Sequence, residues 1–110
     1  MGITKSDFFS EVENQQASIL KALGHPARLA IVQHLLTVNS CICGDIVDVL
    51  PLSQPTISQH LKELKNVGLI KGSVEGNSVC YCLNTEKWQE LAQFFGHFHQ
   101  SLVEKNSSCC

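Results

Sequence analysis

Apolar residues recur at helical spacing through most of the 110-residue chain, two short alternating runs flank Glu75-Gly76-Asn77, and one more helical stretch follows them. Together these observations predict a mainly α fold with a β-hairpin wing, the winged helix-turn-helix. With 44% hydrophobic residues the chain supports one core and is too short for two. Charged residues are only 16%, against roughly 25% on average. That shortfall predicts apolar surface buried against a partner. No apolar run approaches the roughly 18 residues of a membrane span. MGITKSDFF lacks the apolar core of a secretory signal, so a cytoplasmic protein with no membrane partner is expected. An enzyme with a large pocket is not expected at this size.

The first helix is read from Phe8, Phe9, Val12, Ile19, Leu20 and Leu23, and ends at Gly24. His25-Pro26 breaks it, and Pro26 opens a second helix carrying Leu29, Ile31, Val32, Leu35 and Leu36 to about Thr37. Asn39 or Ser40 can cap a short third helix through Val49 and Leu50. Beyond the tight link Pro51-Leu52, Ser53 caps a fourth helix with Pro55 in its first turn. Its stripe is Ile57, Leu61 and Leu64, and Gly68 ends it. Strands are expected at about 69–74 and 78–83. In the second, Val79, Tyr81 and Leu83 share one face and Cys80 and Cys82 the other. A last helix runs from about Thr85 to Glu104, with Trp88, Leu91, Phe95, Phe98 and Leu102 spaced as a helix-packing seam. Residues 1–105 are thus expected to form one winged helix-turn-helix domain, and 106–110 a mobile Cys-containing tail.

The net charge of −2 does not advertise a nucleic-acid binder, but its distribution is uneven. Residues 53–83 carry +1, between −2 over 1–52 and −1 over 84–110. Within that stretch, Gln54, Thr56, Ser58, Gln59 and Lys62 lie opposite the apolar stripe of the fourth helix, next to the capping Ser53. A helix laid in the major groove needs such short polar side chains on its outer face. Gln59 can bond a base edge twice, Thr56 and Ser58 can meet a base or a phosphate, and Lys62 a phosphate. His60 can join them or pack inward. Lys71 and Asn77 can reach flanking phosphate or the minor groove. The bland alternative, a merely solvated helix face, is disfavoured by the wing that follows.

The segment LKALGHPARLAIVQHL (20–35) resembles the second-helix signature of the ArsR/SmtB family of metalloregulatory winged-helix repressors. GDIVDVLPLSQPTISQHLKELKNVGLI (44–70) resembles that family's helix-turn-helix, and GSVEGNSVCYCLN (72–84) its wing. The likeness covers roughly residues 15–95. It implies a homodimer built on the first and last helices, here with Phe9, Val12, Trp88, Leu91, Phe95, Phe98 and Leu102 in the interface. It also implies binding to double-stranded operator DNA, and release when a metal or metalloid binds. Gly76-Asn77-Ser78 stands where the family often has an arginine, a departure at the wing tip.

The six cysteines fall in three pairs, Cys41/Cys43, Cys80/Cys82 and Cys109/Cys110. In a cytosolic chain thiols stay reduced, so thiol chemistry or a soft metal is a better reading than a disulfide framework. Trivalent arsenic or antimony takes up to three thiolates, whereas cadmium or zinc takes four ligands. Cys41 and Cys43 are expected at the start of the third helix, where backbone N–H groups favour thiolates. The resemblance implies ligation by a Cys-x-Cys in that helix. Counted back from Asp45, the family's pair would fall at 42 and 44, one residue displaced. Cys109 and Cys110 can fold back to supply further thiolates. Cys80 and Cys82 read as ordinary small strand residues. The family's zinc site on the last helix is not expected, because His97 is followed by Gln100 and no Asp-x-His precedes it. The reading is therefore a non-enzymatic, homodimeric repressor with no organic cofactor, released by arsenic, antimony or a similar soft metal. A thiol redox switch on the same scaffold is the alternative.

Overall fold

The computed structural model of the chain describes residues 8–38, 42–43, 50–75 and 78–105, with 42, 43, 75 and 78 described by backbone alone. Helix α1 (Glu11–Leu23) opens on a reciprocal cap. The Ser10 hydroxyl accepts the Glu13 N–H and the Glu13 carboxylate accepts the Ser10 N–H, both at 3.0 Å. That cap starts the helix after Phe8 and Phe9, which the apolar spacing had included. Helix α2 (Pro26–Thr37) starts at the proline, with His25 Nδ1 accepting the Ala27 N–H at 3.1 Å. Its buried face is Ile31, Val32 and Leu35.

Helix α3 (Gln54–Asn66) is capped by Ser53 and stops at Gly68, whose φ of 83° is costly for any residue with a Cβ. The chain then turns into strand β2 (Ile70–Glu75), which pairs antiparallel with β3 (Ser78–Leu83). Helix α4 (Thr85–Glu104) closes the described chain. Its start is tied to the α3–β2 turn. Asn84 Nδ2 donates to the Gly68 carbonyl at 2.9 Å and Trp88 Nε1 to the Leu69 carbonyl at 3.0 Å.

One core serves all of these elements. Ile19 of α1, Ile31, Val32 and Leu35 of α2, and Ile57, Leu61 and Leu64 of α3 pack with Leu69, Ile70 and Leu91. Each fully buried aliphatic side chain contributes about 1.5–3 kcal/mol. The two sides of this core hold α3 firmly by its apolar stripe and leave the opposite face outward.

Two expectations are corrected. Ile42–Cys43 is not the first turn of a helix but a strand, β1, at the sheet edge in the order β1-β3-β2. Ile42 pairs with Tyr81 and Cys43 with Cys80, so ladder hydrogen bonds replace the expected cap. Residues 39–41 and 44–49, which hold the rest of that expected helix, lie outside the described residues, as do Asn77, Cys109 and Cys110. Second, Trp88 and Leu91 turn into the protomer's own core rather than outward. Leu91 is 4% exposed and Trp88 is anchored to Leu69.

Candidate nucleic-acid interface

Ser53 fixes where α3 begins. Its hydroxyl accepts the Thr56 N–H at 3.4 Å and lies 2.9 Å from the Thr56 hydroxyl. From there Ile57, His60, Leu61 and Leu64 face inward, and Gln54, Thr56, Ser58, Gln59 and Lys62 are exposed. Gln59 Nε2 donates to Glu63 Oε1 at 3.0 Å, which holds the amide extended along the helix surface. The backbone N–H groups at the start of an α-helix carry partial positive charge, so this end of α3 also favours phosphate.

His60 departs from the polar set. It is 8% exposed, its ring centroid lies 4.5 Å from that of His25, and Arg28 Nε donates to its Nδ1 at 3.1 Å. An Nδ1 that accepts leaves the proton on Nε2, which is the neutral ring. Burial chiefly, then the charges of His25 and Arg28, hold its pKa below the ordinary value of 6.5. Arg28 also donates to the Ala22 carbonyl at 3.1 Å. This cluster locks α2 and the α1–α2 turn to the back of α3.

Lys71 is exposed on β2, with its Cα opposite Cys82. Sequence reasoning passed over Lys65, although it belongs to the positive stretch. A Cβ on Gly72 would sit 3.4 Å from Lys65 Nζ and 3.2 Å from the Tyr81 ring, so the bare glycine lets this α3 lysine reach over the wing. Lys62, Lys65 and Lys71 thus run from the helix onto the hairpin.

The cysteine pairs are placed differently from one another. Cys43 enters β1 opposite Cys80. Cys80 is 1% exposed and disulfide-bonded, contrary to the expectation that every thiol is reduced, and Cys82 is a half-buried thiol.

A second surface is formed by α1 and α4. Phe9, Val12, Phe95, Phe98 and Leu102 are 46–69% exposed. A groove of about 530 Å³ runs between α1 and α4, lined by Phe9, Leu20, Phe94 and Phe98 among others. Phe94, missed because it falls outside the 3-4 seam, packs 4.7 Å from Phe98 and 5.7 Å from Phe95, centroid to centroid. No helix among the described residues is long and apolar enough to cross a membrane.

Known proteins resemble this chain in sequence and in fold. A sequence model of the family described as "Bacterial regulatory protein, arsR family" matches residues 25–71. The chain is 40% identical over 73 residues to the HTH-type transcriptional repressor SmtB of Mycobacterium tuberculosis. That match covers 66% of this chain and 53% of the repressor, so the chain spans about half the repressor's length. It is 35% identical over 92 residues to the arsenical resistance operon repressor of Staphylococcus xylosus, covering 84% of this chain and 81% of that one. To a homolog of the cadmium resistance regulatory protein CadC from Staphylococcus aureus it is 33% identical over 90 residues, covering 81% and 74%. An ArsR-like transcriptional regulator from Rhodococcus has the same fold, with a TM-score of 0.71 at 20% identity over 86% of this chain and 88% of that one. With the matched helix-turn-helix, relatives at this identity over most of their length, and the winged architecture in place, the chain belongs to the ArsR family of bacterial regulatory proteins.

Proposed function

We propose that the protein is a homodimeric transcriptional repressor that holds double-stranded operator DNA and lets go when trivalent arsenic, antimony or a similar soft metal binds its cysteine thiolates. The observation that carries the DNA half is the outward face of α3. Gln54, Thr56, Ser58, Gln59 and Lys62 stand exposed behind a Ser53 cap, on a helix locked from behind by its apolar stripe. In this reading Gln59 addresses a base edge. Ser53, Thr56, Ser58, Lys62 and Lys71 set the register on phosphate, and Asn77 extends the contact from the wing. A two-fold dimer through the apolar α1–α4 surface would present the pair of α3 helices to successive major grooves.

The inducer half rests on chemistry and kinship. Six cysteines in 110 residues supply soft ligands, with Cys41, Cys43, Cys109 and Cys110 as the thiolates proposed. Relatives at 35% and 33% identity are an arsenical resistance operon repressor and a cadmium resistance regulator homolog. Cadmium and zinc are therefore the comparison metals.

The test is fluorescence anisotropy of the reduced protein on its upstream promoter DNA, titrated with arsenite, then cadmium and zinc. Release by about one equivalent of arsenite per protomer is expected, and tight binding unmoved by any of the three metals would overturn the inducer assignment. The disulfide at Cys80 favours one second reading, a thiol redox switch on the same scaffold. That reading requires release by peroxide or a disulfide reagent without metal.

A further inference from the structure

We infer that the hydrogen bond from Arg28 to His60 is a proton-sensitive latch that positions α3, so that a proton on the His60 ring opens it and weakens operator binding. The DNA half of this inference rests on the proposed function. The latch itself rests on geometry. His60 is the one buried polar side chain among the described residues. It stands between Gln59, which is exposed, and Leu61, which is in the core. The outward polar set and His60 share one helix, so a change in how the inner side is held is passed to the outer face.

Arg28 does the joining. Its Nη1 donates to the carbonyl of Ala22 in the last turn of α1, and its Nε to His60 Nδ1, both at 3.1 Å. One guanidinium on α2 thus ties α1 and α3 together. His25, the N-cap of α2, completes the cluster, with its ring centroid 4.5 Å from that of His60 and its own Nδ1 taken by the Ala27 N–H. The rest of the inner side of α3 is held by the apolar stripe of Ile57, Leu61 and Leu64. Apolar burial is non-directional, whereas a hydrogen bond fixes an angle, so this contact sets how α3 is turned.

Protonation reverses the chemistry of that contact. A neutral imidazole accepts at Nδ1, whereas the imidazolium carries N–H at both nitrogens and accepts at neither. The Arg28 Nε–H then meets another N–H, and a guanidinium that stays charged faces a second cation. The charged groups that face the ring are His25 from the α1–α2 turn and Arg28 from α2, and both oppose a proton. From α1 comes the Ala22 carbonyl, which Arg28 holds. On α3 itself Glu63 is engaged by Gln59, and Lys62 is exposed. Among the described residues no carboxylate pairs with His25, Arg28 or His60. Burial acts in the same direction, so the latch is closed at neutral pH and opens on the acid side of 6.5. The sign of the effect is diagnostic. Protons on exposed histidines such as His97 and His99 add positive charge and strengthen attraction to a polyanion. Weaker binding in acid runs against that trend.

The experiment takes the full-length chain from about pH 8 to about pH 5, the range in which histidine titrates. NMR of the ring nitrogens and backbone amides of the free chain reads the His60 proton and the response of α3. Anisotropy on upstream promoter DNA reads operator affinity, and circular dichroism confirms that the chain stays folded at each pH. His60→Gln is the comparison, because an amide oxygen can accept from Arg28 and takes up no proton in this range. Wild-type affinity should fall about 10-fold or more, the cost of a buried hydrogen bond left unmade, with the midpoint of the His60 ring titration. His60→Gln should show no fall. Equal pH dependence in the two proteins, with DNA binding intact at neutral pH, would overturn the latch and leave the proposed function standing. Should His60→Gln fail to fold, the wild type decides alone, and a release midpoint that differs from that of the ring overturns the latch. A chain that binds the promoter at no pH overturns the proposed function, and α3 amides unmoved by the His60 titration overturn the latch in that case too.

Discussion

At the scale of single residues, the proposed contact of Gln59 with DNA and the burial of His60 make opposite demands on adjacent positions of one helix. Gln59 is exposed and tied only to Glu63, so its amide can exchange that bond for a base edge. Gln59→Ala should cost about 1–3 kcal/mol on the preferred operator and relax selectivity at one base pair. Lys62→Ala should weaken every sequence alike and lower the salt slope by about 1. Anisotropy on matched and mutated operators over a salt series separates the two. His60 works through stability. Its pKa lies below 6.5 in the folded chain, so the unfolded chain takes up the proton first as pH falls. Its contribution is fully present above 6.5 and is lost as pH falls through that value toward the folded pKa. Urea denaturation should therefore show a loss of stability on the acid side of 6.5 that His60→Gln reduces. The sequence left open whether His60 joins the polar face or packs inward, because the hydrogen-bond partner that decides it, Arg28, lies 32 residues away.

Elements differ in how local their causes are, and that decides which of them the sequence could disclose. Helix α3 is written locally: a Ser53 cap, Pro55 in the first turn, an apolar stripe at i, i+4 and i+7, and a terminal Gly68. Ser53→Ala should cost about 1 kcal/mol, and Gly68→Ala about 1–2 kcal/mol because its φ is 83°. Denaturant midpoints check both, and the cap variant should also weaken DNA binding by misplacing Thr56. Strand β1 is the opposite case. Two residues carry no periodicity of their own, and Ile42–Cys43 becomes a strand only because Tyr81 and Cys80 stand ready to pair with it. A helix-start reading of the same residues was locally consistent. It placed Cys43 in the first turn of a helix instead of in a strand whose backbone pairs with Cys80. The α4 seam was half legible: Phe95, Phe98 and Leu102 are exposed as a partner surface requires, while the hydrogen bond of Trp88 to Leu69 turns the first part of the stripe inward.

For the molecule as a whole, a radius of gyration of 17.3 Å exceeds the roughly 13 Å of a compact chain this long. Together with the exposed aromatic surface of α1 and α4, this supports the proposed homodimer. On the proposed homodimer, Phe98→Glu should convert dimer to monomer in analytical ultracentrifugation and weaken operator binding by much more than it weakens folding; a wild-type chain that sediments as a monomer would contradict the proposal. Recognition then follows from the order of parts. The core fixes α3, the α3–β2 turn carries the wing beside it, and in the proposed homodimer the apolar α1–α4 face sets the spacing between two copies. The most direct measurement of this account is an NMR titration of the isotopically labelled protein with its operator DNA, reading backbone amide shifts. The account predicts the largest changes at 53–62 and around Lys71. Changes confined to α1 and α4, with α3 unmoved, would contradict it.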